Sequence, residues 1–228
     1  MMRALLWKDY RVNLSVLGLG LALLLGPPVA GLILNLWGHW EYGAPARPWA
    51  EMLVISAPFA LALNLFTVAA LGGNAVASER ADRSAEFLAY LPPSRWMIIS
   101  SKAIVAVGAA VFIWGFGLTL IYVVAPQLGL LDDQLIEFRD SMLPPLASSC
   151  ILLLGAAWLG SMFLPTHTLA TFFGIVMPMA LLGVLRGVQY GLDPSPFDLG
   201  WWYRTLCWPL GIGAFVAGVL CYVRRVEP

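Results

Sequence analysis

Residues 103–131 read AIVAVGAAVFIWGFGLTLIYVVAPQLGLL, 29 positions without a charged side chain, bounded by Lys102 and Asp132. A helix crossing the hydrocarbon of a bilayer needs about 20 apolar residues. A run this long predicts a membrane span, near 98–124. Backbone in lipid must satisfy its own hydrogen bonds, and the run is too continuous for a barrel strand, so the span is expected to be helical.

The pattern recurs on both sides of this run. Arg11 to His39 encloses 27 uncharged residues, Glu51 to Glu79 another 27, and Arg204 to Arg224 encloses 19. Asp140 to Arg186 encloses 45, too many for one crossing. It divides at LPTHT (164–168), where Pro165 and His167 suit a tight interfacial turn. Six spans follow, near 14–37, 52–76, 98–124, 143–163, 169–189 and 205–223. Composition agrees: 60% of the 228 residues are hydrophobic and 11% charged, with a mean hydropathy of +0.81. Soluble domains carry about a quarter of their residues as charged types. The zero net charge gives no basic face for nucleic acid. The fold class is an all-α polytopic membrane protein, one transmembrane domain over 1–228.

With both ends inside, the inner segments hold Arg3, Lys8, Arg11, Arg80, Arg83, Arg95, Lys102, Arg224 and Arg225. The outer segments hold Arg47, Arg139, Arg186 and Arg204. This bias predicts a multi-pass protein of the cytoplasmic (inner) membrane with both termini cytoplasmic. The first span has no small-residue cleavage site after its apolar run and is expected to be retained. Residues 1–13 combine Leu5, Leu6 and Trp7 with Arg3, Lys8, Asp9 and Arg11, which predicts an amphipathic helix lying on the inner face; a cytosolic extension of span one is the alternative. Pro27, Pro28, Pro58 and Pro178 fall within spans and predict bent helices, either lining a path or adapting packing. Gly115, Gly117, Gly155, Gly160, Gly211 and Gly213 predict close helix packing or dimer contact.

Several chemistries are missing from the sequence. There is no GxxxxGK[ST], HExxH or GxSxG motif. His39 and His167 fall at opposite faces, and Cys150, Cys207 and Cys221 show neither metal spacing nor a disulfide framework. No cofactor, metal or catalytic residue is expected, and the chain is not expected to be an enzyme. The charged residues bound the spans instead of interrupting them, so no buried ion is expected either. Asn64, Thr67, Thr119 and Thr171 are the polar residues within spans, placed to bond to neighbouring helices.

One segment departs from this economy of charge. Residues 78–95, SERADRSAEFLAYLPPSR, hold three acids and three bases between spans two and three. No Gly or Pro falls between Ala77 and Leu91, so a short cytoplasmic helix is expected there, within a segment 77–96. Pairs at Glu79/Arg83 and Arg83/Glu86 support it. Pro92 and Pro93 stop it, and Ser94 caps span three with Arg95 and Trp96 at headgroup level. Its apolar residues Phe87, Leu88 and Leu91 make either a docking surface for a cytosolic partner or a face resting on lipid.

The run from Glu79 to Lys102 resembles the signature of type-2 ABC exporter permeases, ER, two variable residues, Gly-Thr, E-x-L-x-x-L-P-x-S-R and a Lys seven residues on. Glu79, Arg80, Glu86, Leu88, Leu91, Pro92, Ser94, Arg95 and Lys102 match, Ser84 stands for Thr, and Arg83 replaces the Gly. LLWKDYR (5–11) is similar to the family's LLxKExR start, with Asp9 in the Glu position. The resemblance implies a permease subunit of an ATP-driven exporter. A second permease chain, identical or related, would complete a path across the lipid bilayer, and separate cytosolic ATP-binding ABC subunits would supply the work. It also implies a coupling helix that contacts the ATPase through Glu79, Arg80, Glu86, Leu88, Leu91, Pro92, Ser94 and Arg95. The alternative is a membrane scaffold or anchor recruiting a cytosolic partner without transport.

Overall fold

A computed structural model describes residues 2–42, 48–81, 94–129, 133–191 and 198–224. Every long element in it is a helix. A short helix α1 (Met2–Val12) precedes α2 (Leu14–Tyr42), α3 (Trp49–Ala81), α4 (Arg95–Gln127), α5 (Leu135–Phe163), α6 (His167–Gly191) and α7 (Leu199–Arg224). The last six are long and apolar enough to cross a membrane, and each contains one of the six spans expected from the charge-free runs. The chain is a helical, multi-pass membrane protein.

The bundle is built around α3 and α5. They are the most buried of the six, while α2 and α7 lie at the periphery. Leu24 of α2, Leu61 and Val68 of α3, Ile113 and Trp114 of α4, and Leu143 and Cys150 of α5 share one cluster. Small residues let the backbones meet. A side chain added at Gly155 would stand 2.0 Å from the carbonyl oxygen of Gly211, which places α5 and α7 backbone against backbone. Gly117 similarly admits Leu61, and Gly160 admits Phe173. Gly115 and Gly213, expected to behave likewise, meet nothing within 4 Å. They fall on the open side of their helices, a distinction that requires knowing which face is packed.

Prolines 27, 28, 58 and 178, and also Pro209, are carried inside helices rather than ending them. With no water in lipid to take over a broken backbone, staying helical is the cheaper outcome. Two other prolines leave a mark. In α4 the Ala125 N–H donates to Leu120 O, five residues back, directly before Pro126. In α5 Leu143 N–H donates to Phe138 O, directly before Pro144. A proline ring clashes with the carbonyl four residues earlier, and widening the preceding turn to π geometry relieves that clash. These turns flank the α4–α5 connection, where Ala125 and Leu135 pack against Val54 of α3.

The ends of the spans follow local rules. α5 ends at Phe163, the chain turns through 164–166, and α6 begins at His167 with Thr166 Oγ1 accepting from Leu169 N–H. The LPTHT turn therefore lies where its proline placed it. Ser94 caps α4, its hydroxyl accepting from Met97 N–H at 3.3 Å. Trp40, Trp49, Tyr190, Trp201 and Trp202 are exposed at one end of the bundle, Trp7, Tyr10 and Trp96 at the other, as amphipathic rings at two membrane–water boundaries would be.

The expected helix between Ala77 and Leu91 differs at its start. Ala77 to Ala81 continue α3 without a break, since no residue in that stretch disfavours helix. Residues 82–93 lie outside the described residues, and with them Arg83 and the apolar trio Phe87, Leu88 and Leu91.

Candidate functional site: a buried ion network

At the end of the bundle where the chain begins, α1, α3 and α4 bring charged side chains inside. Val16 and Leu17 of α2, Val76 of α3, Ile99 of α4, Met162 of α5 and Val223 of α7 form the apolar floor beneath them. α1 folds against α4 because Leu5 and Asp9, one helical turn apart, occupy the same buried face. Asp9, Glu79 and Lys102 are 3%, 4% and 6% exposed. The spans therefore do enclose ions at this end, contrary to the expectation from the sequence. The reason is geometric: residues that bound a span in the sequence are still covered when a neighbouring helix packs across that boundary.

Lys102 is the centre of the network. Its ammonium lies 2.8 Å from Glu79 Oε1 and 3.4 Å from Asp9 Oδ1, bonding carboxylates from two other helices. Lys8 Nζ donates to the same Glu79 oxygen. Asp9 Oδ2 accepts from the Ser101 hydroxyl, which also lies 2.9 Å from Ile98 O. A hydroxyl has one proton, and the carboxylate is the stronger acceptor, so that proton goes to Asp9. Among these four side chains two acids meet two bases, and their charges sum to zero. Such closure is what makes burial tolerable: an isolated buried charge costs several kcal/mol, on the order of the stability of many domains.

A neutral chain of amides extends the network. Asn13, at the junction of α1 and α2, donates through Nδ2 to Asp9 O at 2.9 Å. Asn74 Nδ2 donates to Asn13 Oδ1 at 2.9 Å, and the Ser78 hydroxyl to Asn74 O at 2.8 Å. Between them the ionic and amide bonds tie α1 to α3 and α4 through side chains 61 to 93 positions apart in sequence.

Of the residues expected to contact a partner, Glu79 is turned into this network instead of outward, because two ammonium groups await it inside. Arg80 belongs to α3, its side chain lying outside the described residues. Glu86, Leu88, Leu91 and Pro92 fall in 82–93, also outside them. Ser94 and Arg95 start α4, and Arg95 is exposed. The sequence does not mark Lys8, Asp9, Asn13, Asn74 and Ser101 as parts of one site. One of them carries a local signal: Asp9 lies one turn from Leu5, a carboxylate on an apolar stripe.

The polar residues within the spans mostly turn back on their own helices. Asn64 Nδ2 donates to Ala60 O, Thr119 to Gly115 O and Thr171 to His167 O, and none of these bonds reaches a neighbouring helix. Asn64 Oδ1 and Thr67 Oγ1 are fully buried and without a partner among the described residues, both facing Gly20 of α2. Among the described residues no three His, Cys, Asp or Glu side chains gather to hold a metal ion. No family model, curated protein or solved structure matches the chain.

Proposed function

We propose that the chain is the transmembrane permease subunit of an ATP-driven ABC exporter. It works as a pair of permease chains in the cytoplasmic membrane, with ATP hydrolysed by separate cytosolic subunits. The observation that supports this reading is where the two signature-like stretches meet. LLWKDYR supplies Lys8 and Asp9, the run from Glu79 to Lys102 supplies its first and last residues, and these four side chains bond to one another. Two stretches selected only by their residue pattern form a single physical unit.

That unit suits the transmission of force. The segment 82–93 joins α3 to α4, and the Glu79–Lys102 pair clamps those two helices just inside the membrane end of the segment. A displacement applied at Glu86, Leu88 and Leu91 would move α1, α3 and α4 together, with Pro92 and the Ser94 cap passing it to α4. Glu79 in this mechanism clamps the helices, and Arg80 and Arg95 remain the charged residues for contact with an ATPase. The motion is a shift between inward- and outward-open arrangements, biased by ATP-driven closure of the partner subunits.

The test is co-purification with a tagged cytosolic ATP-binding ABC subunit, followed by ATP hydrolysis in lipid with and without this chain. A stable complex whose hydrolysis rate depends on the chain is expected. Isolation without any nucleotide-binding partner would overturn the reading.

A further inference from the structure

The outward surface of α1 is sorted by the sign of its charge. The helix carries four charged side chains, Arg3, Lys8, Asp9 and Arg11. The fold withdraws the acid, which is buried against Ser101 and Lys102, and turns Lys8 toward Glu79. Arg3 and Arg11 remain exposed, with Trp7 61% and Tyr10 43% exposed between them. Arg3, Trp7 and Arg11 stand at intervals of four, and Tyr10 stacks on Trp7 with ring centroids 5.9 Å apart, so the four form one stripe. At the same end of the bundle Arg224 of α7 is exposed, whereas Asp9 and Glu79 are both inside.

A surface with cations outward, the acids among its described residues turned inside and aromatic rings between the cations, at the level where six apolar helices end, complements a layer of phosphates. We propose that the stripe Arg3–Trp7–Tyr10–Arg11 binds the headgroups of anionic phospholipids in the leaflet at this end. Guanidinium groups bond phosphate oxygens in a fork, and Trp and Tyr place an apolar ring beneath and a polar edge among the headgroups. The selectivity for charge is a product of the tertiary fold: in an isolated α1 peptide Asp9 would repel the same phosphates, and in the folded chain its charge is neutralised by Lys102. The inference depends on the membrane-spanning bundle and not on the transport reading.

The test uses the full chain in nanodiscs of phosphatidylcholine mixed with phosphatidylglycerol, with native mass spectrometry counting the lipids it retains. Wild type should retain phosphatidylglycerol over phosphatidylcholine by about fivefold for each arginine at low salt. The preference should fall to the bulk ratio in Arg3→Gln/Arg11→Gln, a variant expected to melt as wild type does in neutral detergent. Each single variant should lose about fivefold, which keeps the test decisive if the double variant fails to assemble. A folded double variant with undiminished preference overturns the proposal. Absence of any preference in wild type also overturns it, and would leave the stripe to a cytosolic protein.

Discussion

Lys102 bonds two carboxylates at once, and removing its ammonium would leave both Asp9 and Glu79 short of positive charge in a covered site. Breaking a buried pair from one side costs more than replacing the whole pair, since the cost comes mainly from the charge left behind. Lys102→Met is therefore expected to lower stability by about 3–5 kcal/mol, read as a fall in melting temperature in detergent. Glu79→Gln and Lys102→Gln combined should cost less than the sum of the two single changes, with a coupling of about 1–3 kcal/mol in the cycle. Additive losses would show that the pair contributes nothing as a pair. Asn64 and Thr67 are the counterexample at this scale. They were visible as polar residues within an apolar span, but that Asn64 would bond its own helix depends on which rotamer the packing against α2 leaves open.

Among the helices, the close crossing of α5 and α7 sets the tightest tolerance. Gly155→Ala would place a methyl carbon 2.0 Å from Gly211 O, and the helices would have to separate. Overpacking of this kind costs about 1–3 kcal/mol. Gly213→Ala, two residues beyond Gly211 on the same helix, meets nothing within 4 Å and should gain up to about 1 kcal/mol from helix propensity. Melting curves in one detergent should therefore move in opposite directions for the two variants, and equal shifts would contradict the crossing. The existence of each span, the LPTHT turn and the Ser94 cap were legible because each follows from a run length or a residue acting within one turn of itself. The roles of the glycines were not, because a glycine matters only where another backbone approaches.

For the molecule as a whole, six spans and one shared floor put α1 and the end of α7 at the same end of the bundle. Val16, Leu17 and Val223 meet there, beside the ion network. A cytoplasmic placement of that end is the orientation proposed from its excess of basic residues. In a chain whose native cysteines are replaced by alanine, Ala4→Cys and Arg224→Cys should react with a membrane-impermeant maleimide only after the cells are permeabilised. Trp40→Cys, exposed at the opposite end, should react in intact cells. The reverse pattern would invert the orientation and the transport reading with it.

The sequence by itself determined the six long apolar helices and the short helix before them. Each depends on the free energy of placing a contiguous stretch in lipid or at its boundary, and a stretch carries that information locally. Only the tertiary structure decided which charges face inward. Asp9, Glu79 and Lys102 look like ordinary boundary residues until α1 folds across α4. Asp9 then lies beside partners 92 and 93 positions away, and Coulomb attraction acts through space regardless of that separation.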